Sequence, residues 1–144
     1  MENTQDTRTG GCACGKIRFE ITAPIIAIGA CHCHKCQKAA GGGPNYVALA
    51  PKGALNIMQG TPKVFEAKGD SGATVGRAFC GDCGTPLWSI PAHEPFTPVK
   101  LGALDSTEGA TLDMHIYVEF APDWHNLNDD VPKFDTVPPV GGKG

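Results

Sequence analysis

Seven cysteines stand in three short clusters: Cys12 and Cys14, then Cys31, Cys33 and Cys36, then Cys80 and Cys83. An odd number cannot be fully paired within one chain, so a disulfide framework does not account for them. Cysteine also serves as a small buried residue, but that use scatters it rather than gathering every copy into clusters. Clustered thiolates are soft ligands, and such sulfur sets point to a metal, zinc above all. Cys80-Gly81-Asp82-Cys83-Gly84 is a knuckle whose tight turn aims two sulfurs at one ion. The glycine behind it permits a positive φ, which lets backbone N–H groups face the sulfurs. Cys12-Ala13-Cys14-Gly15 is a second chelate, with both sulfurs on one face of an extended segment and glycine again behind. Two such pairs together suit one closed four-sulfur site.

The middle cluster, Cys31-His32-Cys33-His34-Lys35-Cys36, offers three sulfurs in six residues and has no glycine behind it. Three protein ligands and an open fourth position are what a catalytic zinc uses, whereas structural zinc sites fill all four. Seven then divides as four plus three. Spacing alone also permits Cys31 and Cys33 to join Cys80 and Cys83, or a histidine to close the middle site. In an extended C-x-C, however, His32 and His34 point away from the sulfurs.

The elements that must carry these residues are short. Glycine and proline number 19 and 12, which leaves little room for long helices. Residues 16–22 alternate cleanly, with Ile17, Phe19 and Ile21 on one face and Lys16, Arg18 and Glu20 on the other. Residues 112–120 alternate over a longer stretch, from Leu112 to Phe120. Weaker strand signals fall at 25–28, 46–50, 55–59, 64–67, 74–79, 87–90 and 99–101. One helical turn fits 34–40, before Gly41-Gly42-Gly43 ends it. The pattern predicts an all-β fold of short antiparallel strands with little helix. A single zinc-binding β domain is expected over 10–135, with loose tails at 1–9 and 136–144.

Composition narrows the function classes. Hydrophobic residues at 41% and charged ones at 19% fit a globular domain rather than a disordered tail. No apolar run approaches the ~20 residues of a membrane span. The leading segment is polar and lacks an apolar signal core, so the cytoplasm is the expected location. A net charge of −3, without a basic run or interleaved aromatic patch, argues against nucleic acid as partner.

The run from Gly11 through Cys12, Cys14, Gly15 and Arg18, the Cys31-to-Gln37 run and the Phe79-to-Thr85 run resemble the glutathione-dependent formaldehyde-activating enzyme family. The closing stretch from His115 through Val118, Ala121, Trp124 and Asp130 to Phe134 is similar too. One departure is Asp123, an extra residue in Ala121-Pro122-Asp123-Trp124 where relatives often read Ala-Pro-Trp. The resemblance spans about residues 10 to 135 and implies a β-tent of packed antiparallel sheets. It implies a structural zinc on Cys12, Cys14, Cys80 and Cys83, and a second zinc on Cys31, Cys33 and Cys36. It also implies a carbon–sulfur lyase that reversibly joins glutathione and formaldehyde into S-(hydroxymethyl)glutathione.

The ligand chemistry agrees with that activity. Three thiolates on a divalent ion leave a net charge of −1, which makes a poor water activator. Such a centre is better suited to holding an external thiol as thiolate, ready for an aldehyde carbon. The expected partners are therefore a small thiol and a small aldehyde. The competing reading is a non-catalytic scaffold whose metals only hold the fold, and an exchangeable fourth ligand separates the two. Arg18, Lys35, Lys38, Lys52 and Arg77 could meet carboxylates, but each reads first as a solvated surface charge. His34 is a candidate proton shuttle, with weaker claims for His93, His115 and His125. Trp88 and Trp124 read as core or rim packing.

Overall fold

A computed structural model describes residues 7–68 and 72–138. Residues 1–6 and 139–144, within the expected tails, lie outside the described residues. The strands are β1 Arg8–Gly11, β2 Arg18–Ile21, β3 Ala27–Cys31, β4 Asn45–Pro51 and β5 Leu55–Gln59. They continue as β6 Lys63–Lys68, β7 Thr74–Phe79, β8 Pro86–Pro91, β9 Phe96–Lys100 and β10 Met114–Ile116. One α-helix among the described residues, α1 His34–Ala40, completes an all-β fold. No helix among the described residues is long and apolar enough to cross a membrane.

The chain divides into two compact units. The first runs to Ile26 and resumes over Ala48–Gly109; the second holds Ala27–Val47 and the chain from Ala110 onward. β4 begins in the second unit and ends in the first.

In the first unit, the alternation around β2 works as expected: Ile17, Phe19 and Ile21 are buried. β2 lies between β1 and β5, antiparallel to both. Arg8 and Thr9, read from the sequence as part of a loose tail, belong to β1. Thr9 Oγ1 donates to Asp105 at 2.6 Å, and Arg8 Nη1 donates to the Ser106 carbonyl at 3.0 Å. Gly10 is required there, because a Cβ would stand 2.3 Å from the Ala103 carbonyl oxygen and 2.6 Å from the Phe19 ring. The strands β9, β8, β7 and β6 follow one another in antiparallel order. Phe19 meets Trp88 of β8 edge to face, with centroids 5.4 Å apart, at the centre of a core that includes Leu87 and Val99. Cys12 and Cys80 belong to that same core. The packing that buries Phe19 thus also sets the inner sulfur of each chelating pair.

The second unit departs from expectation. The run 112–120 has the strongest alternation in the sequence, yet only Met114–Ile116 is strand. β10 pairs with β3 in parallel, not antiparallel, with His115 opposite Ala30 and Ile116 opposite Cys31. Asp113 occupies the strand's entrance by giving its N–H to the Ile28 carbonyl and accepting the Ile28 N–H at its side chain, both at 2.8 Å. At the other end Tyr117 turns left-handed, φ 55°, and a 3₁₀ turn follows over Val118–Phe120. The paired bonds to distant Ile28 at one end and the left-handed turn at the other therefore override the alternation. Helix α1 has the predicted bounds. The Cys33 side chain caps its first turn, and Gly41 ends it at φ 84°, its N–H returning to the Gln37 carbonyl at 2.9 Å.

Candidate metal centres

The sulfurs of Cys12, Cys14, Cys80 and Cys83 all lie within 4.8 Å of one another. Two chain reversals bring them there. Gly15 and Gly84 have φ of +82° and +79°, as the trailing glycines of both motifs foretold. The Gly15 N–H returns to the Cys12 carbonyl at 3.1 Å and the Gly84 N–H to the Cys80 carbonyl at 2.8 Å. Backbone donors then face the inner sulfurs. Ile17 N–H reaches Cys12 Sγ at 3.2 Å, and Asp82 and Cys83 N–H reach Cys80 Sγ at 3.4 and 3.5 Å. Thr85 joins the two motifs: its hydroxyl oxygen accepts the Ala13 N–H at 3.0 Å, leaving its proton for Cys83 Sγ at 3.1 Å. Outside, Lys16 pairs with Asp82 at 3.0 Å, an exposed pair.

This donor set fits a tetrahedral ion. Cys12 and Cys14 sulfurs are 3.5 Å apart and those of Cys14 and Cys80 are 3.8 Å apart. A tetrahedron whose corners lie ~2.3 Å from its centre has edges of roughly 3.8 Å. The proton chemistry agrees. The Thr85 hydroxyl, then the Thr85 N–H, lowers Cys83 to about 5. The Lys16 N–H pulls Cys14 down, but desolvation and the neighbouring sulfurs outweigh it and raise Cys14 to about 12. Crowded sulfurs compete for protons; a divalent cation removes that competition by stabilising every thiolate at once.

The second group is Cys31, Cys33 and Cys36, whose sulfurs also lie within 4.8 Å of one another. Strand β3 ends on Cys31, and α1 starts after Cys33, so the strand-to-helix corner itself gathers the three. Cys36 N–H donates to Cys33 Sγ at 3.3 Å, and buried Asn45 offers Nδ2 to Cys36 Sγ at 3.7 Å. Donation from Cys31 and then Cys36 lowers Cys33 to about 2, while Cys31 is pushed up by Cys33 and Cys36. One anion shared among three thiols is again a set that a cation would complete. The Gln37 amide nitrogen fixes the corner by donating to the His32 carbonyl at 2.8 Å and the Phe120 carbonyl at 2.9 Å.

The histidines divide. His34 is exposed, its ring 4.9 Å from the Phe120 ring. His32 is fully buried and belongs to neither sulfur group. Its Nε2 lies 3.0 Å from His115 Nδ1, and His115 Nε2 lies 3.1 Å from Asp129 Oδ2. Burial, then repulsion from His115 and His125, lowers His32 to about 4. Lys133, then His115, holds Asp129 below the usual carboxylate range. Sequence reasoning missed this chain because His115 falls on the polar face of the alternation in 112–120. It is 2% exposed, enclosed by β3 on one side and bridged to Lys133 on the other.

Other expectations resolve residue by residue. Lys35, Lys38 and Lys52 are exposed. Arg18 is held by Asp105, with Nη1 to Oδ1 at 3.0 Å, and Arg77 Nη1 reaches the Ser89 hydroxyl at 3.5 Å. Trp88 is in the core as expected. Trp124 is outside the core, 71% exposed with its ring edge-on to His125 at 6.1 Å, while the turn closed by His125 N–H on the Pro122 carbonyl brings His125 beside His32.

With this geometry in place, a family model described as glutathione-dependent formaldehyde-activating enzyme matches residues 7–120. The chain belongs to this family. It is 29% identical over 111 residues to a protein of Emericella nidulans, covering 76% of this chain and 55% of that protein. A Penicillium rubens protein is 32% identical over 88 residues, covering 59% of this chain and 45% of that one. Both relatives are provisionally named glutathione-dependent formaldehyde-activating enzymes. The chain spans about half the length of these curated relatives. A crystal structure of a Rhodobacter sphaeroides protein is similar in fold, with TM-score 0.53 and 20% identity, over 72% of this chain and 90% of that one. Within the family frame, two cysteine clusters of this chain could hold metal ions, and both are compatible with zinc.

Proposed function

We propose that this chain is a zinc-dependent carbon–sulfur lyase that reversibly adds a glutathione-type thiol to formaldehyde or a related small aldehyde. The thiol S–H adds across the carbonyl: a C–S bond forms, the C=O π bond breaks, and the proton ends on oxygen. Nothing is oxidised or reduced, and S-(hydroxymethyl)glutathione is the product when the partners are glutathione and formaldehyde.

The observation that carries this reading is the contrast between the two sulfur groups. Cys12, Cys14, Cys80 and Cys83 supply a full tetrahedral set and are the structural site. Cys31, Cys33 and Cys36 supply three, and among the described residues no further histidine, cysteine or carboxylate ligand atom joins them. A zinc ion bound there supplies the Lewis acidity that keeps an added thiol deprotonated at neutral pH. The chain's own part is to keep that corner rigid. Cys33 accepts the Cys36 N–H, Asn45 steadies Cys36, and Gln37 ties the start of α1 to the Phe120 carbonyl. All seven cysteines are unbridged, which suits a reducing compartment, and we assign the cytoplasm.

Cobalt replacement tests the reading, because cobalt reports its ligand set in the visible spectrum. Adding glutathione to the cobalt-loaded protein is expected to shift its bands, with Cys36→Ser abolishing the shift. Unchanged bands would mean a saturated metal, and the chain would then be a scaffold.

A further inference from the structure

The chain Asp129–His115–His32, buried at its two histidines, is unused by the reaction just described, and its hydrogen-bond directions can be assigned. Asp129 is held as a carboxylate acceptor: Lys133 Nζ donates to Oδ1 at 2.8 Å and Val131 N–H donates to the same oxygen at 3.1 Å. His115 Nε2 must therefore donate to Asp129 Oδ2, at 3.1 Å. In the neutral ring, His115 Nδ1 is then a lone pair and accepts the His32 Nε2–H at 3.0 Å. One carboxylate thereby fixes the tautomer and orientation of two imidazoles in sequence. The last of these, His32, is the middle residue of the Cys31-His32-Cys33 chelate.

The chain is also expensive in a way that packing alone does not explain. Its tautomers leave His32 Nδ1 as a buried acceptor with no partner among the described residues. Apolar side chains at positions 32 and 115 together would fill the same space without stranding a polar atom. The backbone on either side is anchored as well. The His32 N–H reaches the Ile116 carbonyl at 3.0 Å, and the His32 carbonyl accepts Gln37 Nε2 at 2.8 Å. The His115 N–H reaches the Pro132 carbonyl at 2.9 Å. Backbone and side-chain bonds thus tie His32 to β10 and to the Asp129–Lys133 segment.

We infer that His115 and Asp129 are positioning residues for the three-cysteine centre, acting through His32 to hold Cys31 and Cys33 at chelating separation. This rests on the proposed metal at Cys31, Cys33 and Cys36. A carboxylate–imidazole pair behind a metal ligand typically governs affinity by 10–100-fold. Here the pair works through the residue between two ligands.

The test uses the full chain loaded with zinc and titrated with a chromophoric chelator. Wild type should surrender its ions in two separable steps. His115→Ala should weaken the looser ion roughly tenfold or more and leave the tighter one unchanged. His115→Asn, which keeps an acceptor near the Nδ1 position, should recover most of that loss, whereas His115→Leu, which fills the space without an acceptor, should not; equal rescue by both would reduce His115 to filling of space. The cobalt-loaded His115→Ala protein should also show altered visible bands. Asp129→Ala acts from the partly exposed end of the chain and decides the matter if His115→Ala does not fold. Wild-type chelator curves and cobalt spectra in both alanine variants would overturn the inference alone. A wild-type protein that holds only one ion would instead overturn the proposed function, and the inference with it.

Discussion

Single side chains here do two kinds of electrostatic work, and they separate by pH. Asp105 is lowered to about 2 from 3.8, first by the Arg18 hydrogen bonds and then by Thr9. A carboxylate with a depressed folded pKa adds stability that is present above about 4 and lost as pH falls toward about 2. Both partners are more than a third exposed, so the effect should stay under ~1 kcal/mol. Urea unfolding of wild type and Asp105→Asn should therefore differ at neutral pH and converge as the acid limit is reached. Parallel curves throughout would remove the pair from the stability account. At the sulfur sites the governing feature is shared protons. Thr85 lowers Cys83 while neighbouring sulfurs raise Cys14, so the thiols match one another poorly until a cation takes the protons' place.

At the scale of elements, the turns behind the cysteines are as specific as the cysteines. Gly84 sits at φ +79° with open space around its missing Cβ, so only backbone strain opposes a side chain there. Gly84→Ala should cost ~1–2 kcal/mol in urea unfolding. Gly102→Ala, at a position equally open but without positive φ, should be neutral or slightly stabilising. Equal effects from the two would show that the left-handed turn is not what the glycine supplies. These turns were legible in the sequence because C-x-C-G and C-x-x-C-G name their own geometry. So were α1, bounded by Cys33 and Gly41, and β2, where a half-buried charged residue alternates with a core residue. The residues of 112–120 misled because alternation records only which faces differ, not how long pairing lasts. Asp113 claims the Ile28 N–H at one end and Tyr117 turns left-handed at the other, and neither bond has a local signature. The link from His115 to His32 escaped notice for the same reason, since the two are 83 residues apart in the chain.

Across the whole molecule, seven cysteines are divided between two units according to how many sulfurs each contributes. The first unit roots Cys12 and Cys80 in the core built on Phe19 and Trp88, so its four-sulfur group should be bound up with folding. The second unit gathers three sulfurs at a strand-to-helix corner, where loss of a ligand should leave the first unit's core untouched. The family relationship covers most of the chain, but the ligand count is what supports the proposed thiol–aldehyde chemistry. Metal stoichiometry by elemental analysis, on wild type and Cys36→Ser, tests that count most directly. Two zinc ions per chain falling to one, with the β-sheet circular dichroism and the cooperative unfolding retained, is the predicted result. A single ion in the wild type, or unfolding of Cys36→Ser, would contradict the division into one closed and one open centre.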